Sequence, residues 1–111
     1  MASPVPSAEL TETVPQLAAI GVLALAHLFD YASFLVMIGR HGLDAEANPV
    51  VVHLIQELGL PGVTVAKLVT VTFAALLALV IAPRRRRLAM TLITFGVVAG
   101  LVGGLTNIAT L

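Results

Sequence analysis

The chain contains no cysteine and no tryptophan, and charge is scarce. Without cysteine there is no disulfide, no thiolate nucleophile, no cysteine-ligated metal and no c-type haem attachment. Only 11% of the 111 residues are charged, against 59% hydrophobic, and mean hydropathy is +1.04. A water-soluble domain carries about 25% charged residues and about 45–50% apolar ones. This composition cannot cover a water-facing surface, so the chain reads as a membrane protein with room for one domain. P-loop, GxSxG, HExxH and Rossmann fingerprints are missing from the sequence, which removes the motif-borne enzyme classes. The basic residues form one cluster rather than a nucleic-acid surface, so no nucleic-acid partner is expected. No cofactor and no metal is expected either.

What is present is long apolar runs. Residues 18–38 form the first, and at about 1.5 Å per residue they cross roughly 30 Å of hydrocarbon. Residues 63–82 form the second and 88–111 the third. Residues 1–17, with three prolines and the acids Glu9 and Glu12, read as a flexible cytoplasmic tail, distinct from a secretory signal because no basic residue precedes the apolar stretch. Between the first two spans, Asn48 suits an N-cap, Pro49 the first helical position, Gly59 a C-terminal cap and Pro61 a stop. The spacing predicts a short helix over 49–58. Val50, Val51, Leu54, Ile55 and Leu58 share one face, with His53, Gln56 and Glu57 opposite. About ten residues cannot span a bilayer, so this helix is expected to lie in the head-group region. The expected fold is all-α: three transmembrane helices plus one interfacial amphipathic helix.

Charge placement predicts orientation. Arg84, Arg85, Arg86 and Arg87 occupy the tight connection between the second and third spans. The positive-inside rule puts that connection in the cytoplasm of a plasma-membrane protein, the N-terminus with it, and residues 39–62 and the C-terminus outside. The arginines read as a cytoplasmic anchor, with contact to anionic lipid phosphates as an added role.

Orientation then sets depth. Asp30 falls about 12 Å below the outer end of span one, and Lys67 and Asn107 about 6 Å below the outer ends of theirs. His27 sits one turn deeper than Asp30. A lone carboxylate in hydrocarbon costs roughly 2.5–3.5 kcal/mol on insertion scales, and Lys67 is the single lysine of the chain. An Asp30–Lys67 pair is therefore expected, with Asn107, Tyr31 and Thr64 as hydrogen-bond partners. Two uses of the pair stay open: a structural clamp on helix register, or a carboxylate that exchanges a proton or cation. His27, at i, i+3 from Asp30, is either a hydrogen-bonded core histidine or part of a proton relay or half of a metal site. Lipid-head-group chemistry by His53, Glu57, Asp30 and Lys67 is the remaining, enzymatic, alternative.

Span three carries Gly96, Gly100 and Gly104 at four-residue spacing, widened by Gly103, with Asn107 on the same face. Bare backbone admits a neighbouring helix closely, and such contact drives association in lipid. The partner of this stripe is left open between span one, span two and a second copy. Three spans offer little interior for four polar side chains, so a homo-oligomer, most simply a two-fold dimer, or a larger membrane complex is expected.

The order Asp30, then Glu46-x-Asn48-Pro49, then Lys67 resembles a family of small prokaryotic integral membrane proteins, a three-to-four-span domain of unknown function. The resemblance covers about residues 20–75; where that family has Thr shortly after the Asp, this chain has Ala32 and Ser33. It implies that Asp30, Glu46, Asn48, Pro49 and Lys67 work as a set, and it implies no activity. On physical grounds alone, Glu46-x-Asn48-Pro49 is a helix cap with an acid near the positive end of a helix dipole.

Overall fold

The computed structural model describes the backbone of residues 7–111 and side chains from Val14 onward. The chain is all-α: α1 (Ser7–His41), a single 3₁₀ turn (Leu43–Ala45), α2 (Pro49–Ile81) and α3 (Arg86–Thr110). All three helices are long and apolar enough to cross a membrane, α1 over Val14–His41. The first part of the expected tail, residues 1–6, lies outside the described residues; the backbone of 7–17 is helical and continuous with α1.

Glycine sets both interruptions near the start of α2. Gly42, just past α1, has φ 75° and ψ −175°, and Gly59, inside α2, has φ 73° and ψ −174°. Both lie in a region that glycine alone adopts without strain. The Gly42 amide donates to the Ile38 carbonyl at 2.8 Å, which closes the end of α1. Asn48 opens α2 as expected: its Oδ1 accepts from the Val50 amide at 3.0 Å, and Pro49 follows at the first helical position.

The separate interfacial helix expected from the sequence is not found. The one separate element between α1 and α2 is the 3₁₀ turn; residues 49–58 are the opening segment of α2, which breaks at the non-helical Gly59, where a C-terminal cap is expected. Pro61 does not stop the chain. It falls at the start of the resumed helix, where its missing N–H costs nothing and its fixed φ suits the geometry. Gly62 completes the break, since a Cβ there would overlap Leu58. The apolar face of 49–58 also turns inward: Val51, Leu54 and Ile55 pack on Phe34, Met37 and Val63. Only Val50 and Leu58 of that face stay exposed.

The connection Ala82–Arg85 reverses the chain tightly, with the Arg85 amide bonded to the Ile81 carbonyl at 2.7 Å. Arg84, Arg85, Arg86 and Arg87 are all exposed there. Next to this turn, Leu23, Ala78, Ala82, Ala89 and Ile93 form a buried apolar cluster. Phe34, Met37 and Val63 form a second cluster near the loop end. Between the two lies a polar layer.

The glycine stripe of α3 is spent on α1. A Cβ on Gly100 would sit 2.9 Å from the Ala26 carbonyl carbon, and one on Gly96 2.7 Å from Leu23 Cδ1. On Gly104 it would overlap the Phe29 ring, and on Gly103 the Asp30 carboxylate. Residue numbers rise together along this contact, so α1 and α3 run parallel and α2 runs antiparallel to both. The close approach of α1 and α3 resolves the partner of the stripe in favour of span one. By contrast, only 6% of the most apolar window of α2 is fully buried within the chain, against 28% for α1 and 22% for α3; the rest of α2 divides between half-buried and exposed residues.

Candidate functional site

The polar layer takes one principal residue from each helix. Asp30 of α1 accepts from Lys67 Nζ of α2 through Oδ2, an ion pair in which both side chains are mostly covered. Its Oδ1 accepts from Asn107 Nδ2 of α3 at 3.2 Å. The same Asn107 amide nitrogen donates to the Asp30 carbonyl at 3.1 Å and to Ser33 Oγ at 3.1 Å. Ser33 in turn donates to the Asp30 carbonyl at 2.9 Å. Ser33 and Asn107 are buried, so their mutual bonding satisfies groups that hydrocarbon would leave unpaired.

The helices explain why these groups meet. Asp30 and Ser33 are three residues apart and share a face of α1. Gly103, four residues before Asn107, leaves open the space that the Asp30 carboxylate fills. One turn from Lys67, Thr64 donates to the Leu60 carbonyl at 3.1 Å. Its proton being used there, Tyr31 is the donor in the 2.5 Å bond between Tyr31 OH and Thr64 Oγ1. This second link ties α1 to α2 beside the ion pair.

Of the alternatives for His27, its contacts match the hydrogen-bonded histidine rather than the relay through Asp30. Its Nε2 lies 2.8 Å from the Gly96 carbonyl, a pure acceptor, so Nε2 carries the hydrogen. The other ring nitrogen, Nδ1, is buried and has no partner. His27 thus pins α1 to the glycine stripe and does not bond Asp30. Among the described residues, no group of three or more His, Asp or Glu side chains could hold a metal ion.

The loop motif reaches the same place from outside. Glu46 Oε1 accepts from the Asn48 amide at 2.8 Å, while Asn48 caps α2. Glu46 and Asn48 line a pocket of about 450 Å³ together with Asp30, Lys67, Thr106 and Asn107. Asp30, Glu46, Asn48 and Lys67 therefore share one cavity; Pro49 only starts the helix behind it. His53 and Glu57 are exposed and do not line that cavity. His41 is exposed near the chain end, with Nε2 3.3 Å from the Leu111 carbonyl. The four arginines lie at the far end of the bundle. Sequence reasoning misses Ser33 and Thr106 as site residues; for Ser33 the usable signal is a polar residue on the Asp30 face of an apolar span.

Comparison with protein-family models, with curated proteins and with solved structures finds no match to this chain.

Proposed function

We propose that this protein is a small multi-pass subunit of the plasma membrane that acts without catalysis. Its arginine turn is cytoplasmic, and its Asp30–Lys67 pocket opens toward the outer leaflet. It assembles through the uncovered faces of its helices, as a homo-oligomer or with a larger membrane protein. The observation that carries this reading is the polar layer itself: Asp30, Lys67 and Asn107 come from three different helices and bond one another. Such a layer fixes helix register in a medium that supplies no hydrophobic force between spans. With the glycine stripe occupied by α1, the exposed apolar side chains of α2, Val65, Val69, Phe73, Leu76 and Val80, offer the surface for a second chain. Native mass spectrometry and in-membrane cross-linking from α2 positions such as Val69→Cys test this. Dimer or partner adducts are expected; a strict monomer in intact membranes would remove the assembly reading.

Orientation is tested separately, on a background that holds no native thiol. Ala47→Cys should react with an impermeant maleimide in intact cells and Arg85→Cys only after lysis. The reverse pattern would invert the topology.

The pocket beside the ion pair favours a second reading, proton- or cation-coupled transport through Asp30. Intramembrane carboxylates serve such exchange, and Lys67 would tune the affinity. Proton flux in reconstituted vesicles should then collapse in Asp30→Asn, and unchanged flux would discard transport.

A further inference from the structure

The polar pocket does not stand alone. A second cavity of about 400 Å³ lies between α1 and α2, lined mainly by Ala24, Leu28, Leu68 and Val71, with His27 and Thr64 also in its wall. Tyr31 and Lys67 line both cavities, so the two meet at those residues. Along α1 the lining runs from Ala24 to Phe34, about 15 Å of helix. The chemistry changes in a fixed order over that distance. Near the loop come Glu46 and Asn48, then the Lys67–Asp30 level, then a mainly aliphatic groove in which His27 and Thr64 are the polar side chains besides the shared Tyr31 and Lys67.

We propose that these two adjoining cavities together bind one membrane lipid, a zwitterionic glycerophospholipid whose head group ends in a primary ammonium, lying across the Lys67 and Tyr31 side chains that they share. The order of groups carries the assignment. Such a lipid presents ammonium, phosphate and acyl chain in sequence, opposite in charge to Glu46 and Lys67 and matched in polarity to the groove. Glu46 has one carboxylate oxygen engaged by the Asn48 amide, leaving the other to accept from an ammonium N–H. Lys67 has three donors and gives one to Asp30, leaving two for phosphate oxygens. Two carboxylates against one ammonium line the polar pocket, which disfavours a purely anionic head group. A primary ammonium donates hydrogen bonds to these acceptors, whereas a trimethylated one cannot. The site rests on the helices spanning a bilayer, and is independent of whether the chain forms oligomers or moves protons.

The chain has one tyrosine and no tryptophan, so its emission reports Tyr31 alone, at the junction of the two cavities. The full chain in detergent is titrated with palmitoyl-oleoyl phosphatidylethanolamine, phosphatidylcholine and phosphatidylglycerol, with native mass spectrometry counting bound lipid. One phosphatidylethanolamine per chain is expected, bound at least about fivefold more tightly than either other lipid, the effect of one net hydrogen bond. Glu46→Gln should lower phosphatidylethanolamine affinity and narrow its advantage over phosphatidylcholine. Successive N-methylation of the lipid should lower affinity stepwise, a measurement that needs no variant. Equal affinity for the three lipids, preference for the anionic one, or indifference to N-methylation would overturn the site. Carbonate extraction of native membranes separates the premises: release of the chain would overturn the spanning reading together with the site, whereas retention with equal affinities overturns the site alone.

Discussion

Gly103 of α3 faces Asp30 of α1 so closely that a Cβ on the glycine would overlap the carboxylate. The same carboxylate accepts from Lys67 and from Asn107. A glycine that reads as a helix-packing residue is therefore also part of the wall of the charged site.

That relationship separates glycines that are interchangeable with alanine from those that are not. Gly103→Ala must push the carboxylate off its partners, and Gly100→Ala must part α3 from the Ala26 backbone, a contact with no flexible end to yield. Overpacking of this kind costs about 1–3 kcal/mol. A methyl group on Gly21 would meet nothing within 4 Å on the open side of α1, so Gly21→Ala should be stabilising by up to about 1 kcal/mol through helix propensity. Thermal unfolding in detergent, followed by circular dichroism, should show transitions lowered for the first two variants and unchanged or raised for the third.

The ion pair calls for a double-mutant cycle. Asp30→Asn and Lys67→Met each leave one charge without its partner; breaking a fully buried pair from one side costs about 3–5 kcal/mol, and this partly exposed pair should lose less than that. The double variant removes both desolvation penalties, so it should recover a large part of the loss. Reversible unfolding in mixed micelles provides the three differences. Strict additivity of the two single losses would show that the groups do not interact.

Gly59 tests the break in α2. Its φ of 73° and ψ of −174° exclude a side chain without strain, which costs about 1–3 kcal/mol at such a position. Gly59→Ala should destabilise the chain by that amount or straighten α2 and pull Val51, Leu54 and Ile55 off Phe34 and Met37. Pro61→Ala, at the start of the resumed helix, should have little effect. Spin labels on residues 52 and 39, compared between wild type and Gly59→Ala, would register the straightening as a longer distance.

The helices and the site differ in how far composition and spacing reveal them. Three spans follow from apolar length alone, because hydrocarbon thickness fixes how many residues a helix needs. The grouping of Asp30, Lys67 and Asn107 follows from counting depth once the spans are placed. The fate of residues 49–58 follows only in part: the helix breaks at Gly59, where a cap is expected, but Pro61 opens the next segment of α2 instead of stopping it. The difference lies in tertiary packing, because Val51, Leu54 and Ile55 find Phe34 and Met37 rather than the head-group layer. Likewise, a stripe of glycines states that some helix comes close, while the identity of that helix depends on which spans run beside each other.

Asn107 offers the most demanding test, because it distinguishes a specific network from general polarity. Its amide nitrogen donates to Asp30 Oδ1, the Asp30 carbonyl and Ser33. Asn107→Leu removes these donors and should cost about 1–3 kcal/mol, the penalty for leaving buried acceptors unsatisfied. Asn107→Asp should be worse, since it sets a second carboxylate against Asp30 with only Lys67 to balance both. Adding Asp30→Asn to Asn107→Asp restores one carboxylate, one amide and one ammonium in the same layer. The swapped chain should therefore unfold at a higher temperature than Asn107→Asp alone, although the charge has moved from α1 to α3. If the second substitution instead adds its own loss, the layer depends on the carboxylate standing at residue 30 and not on the balance of charges across the three helices.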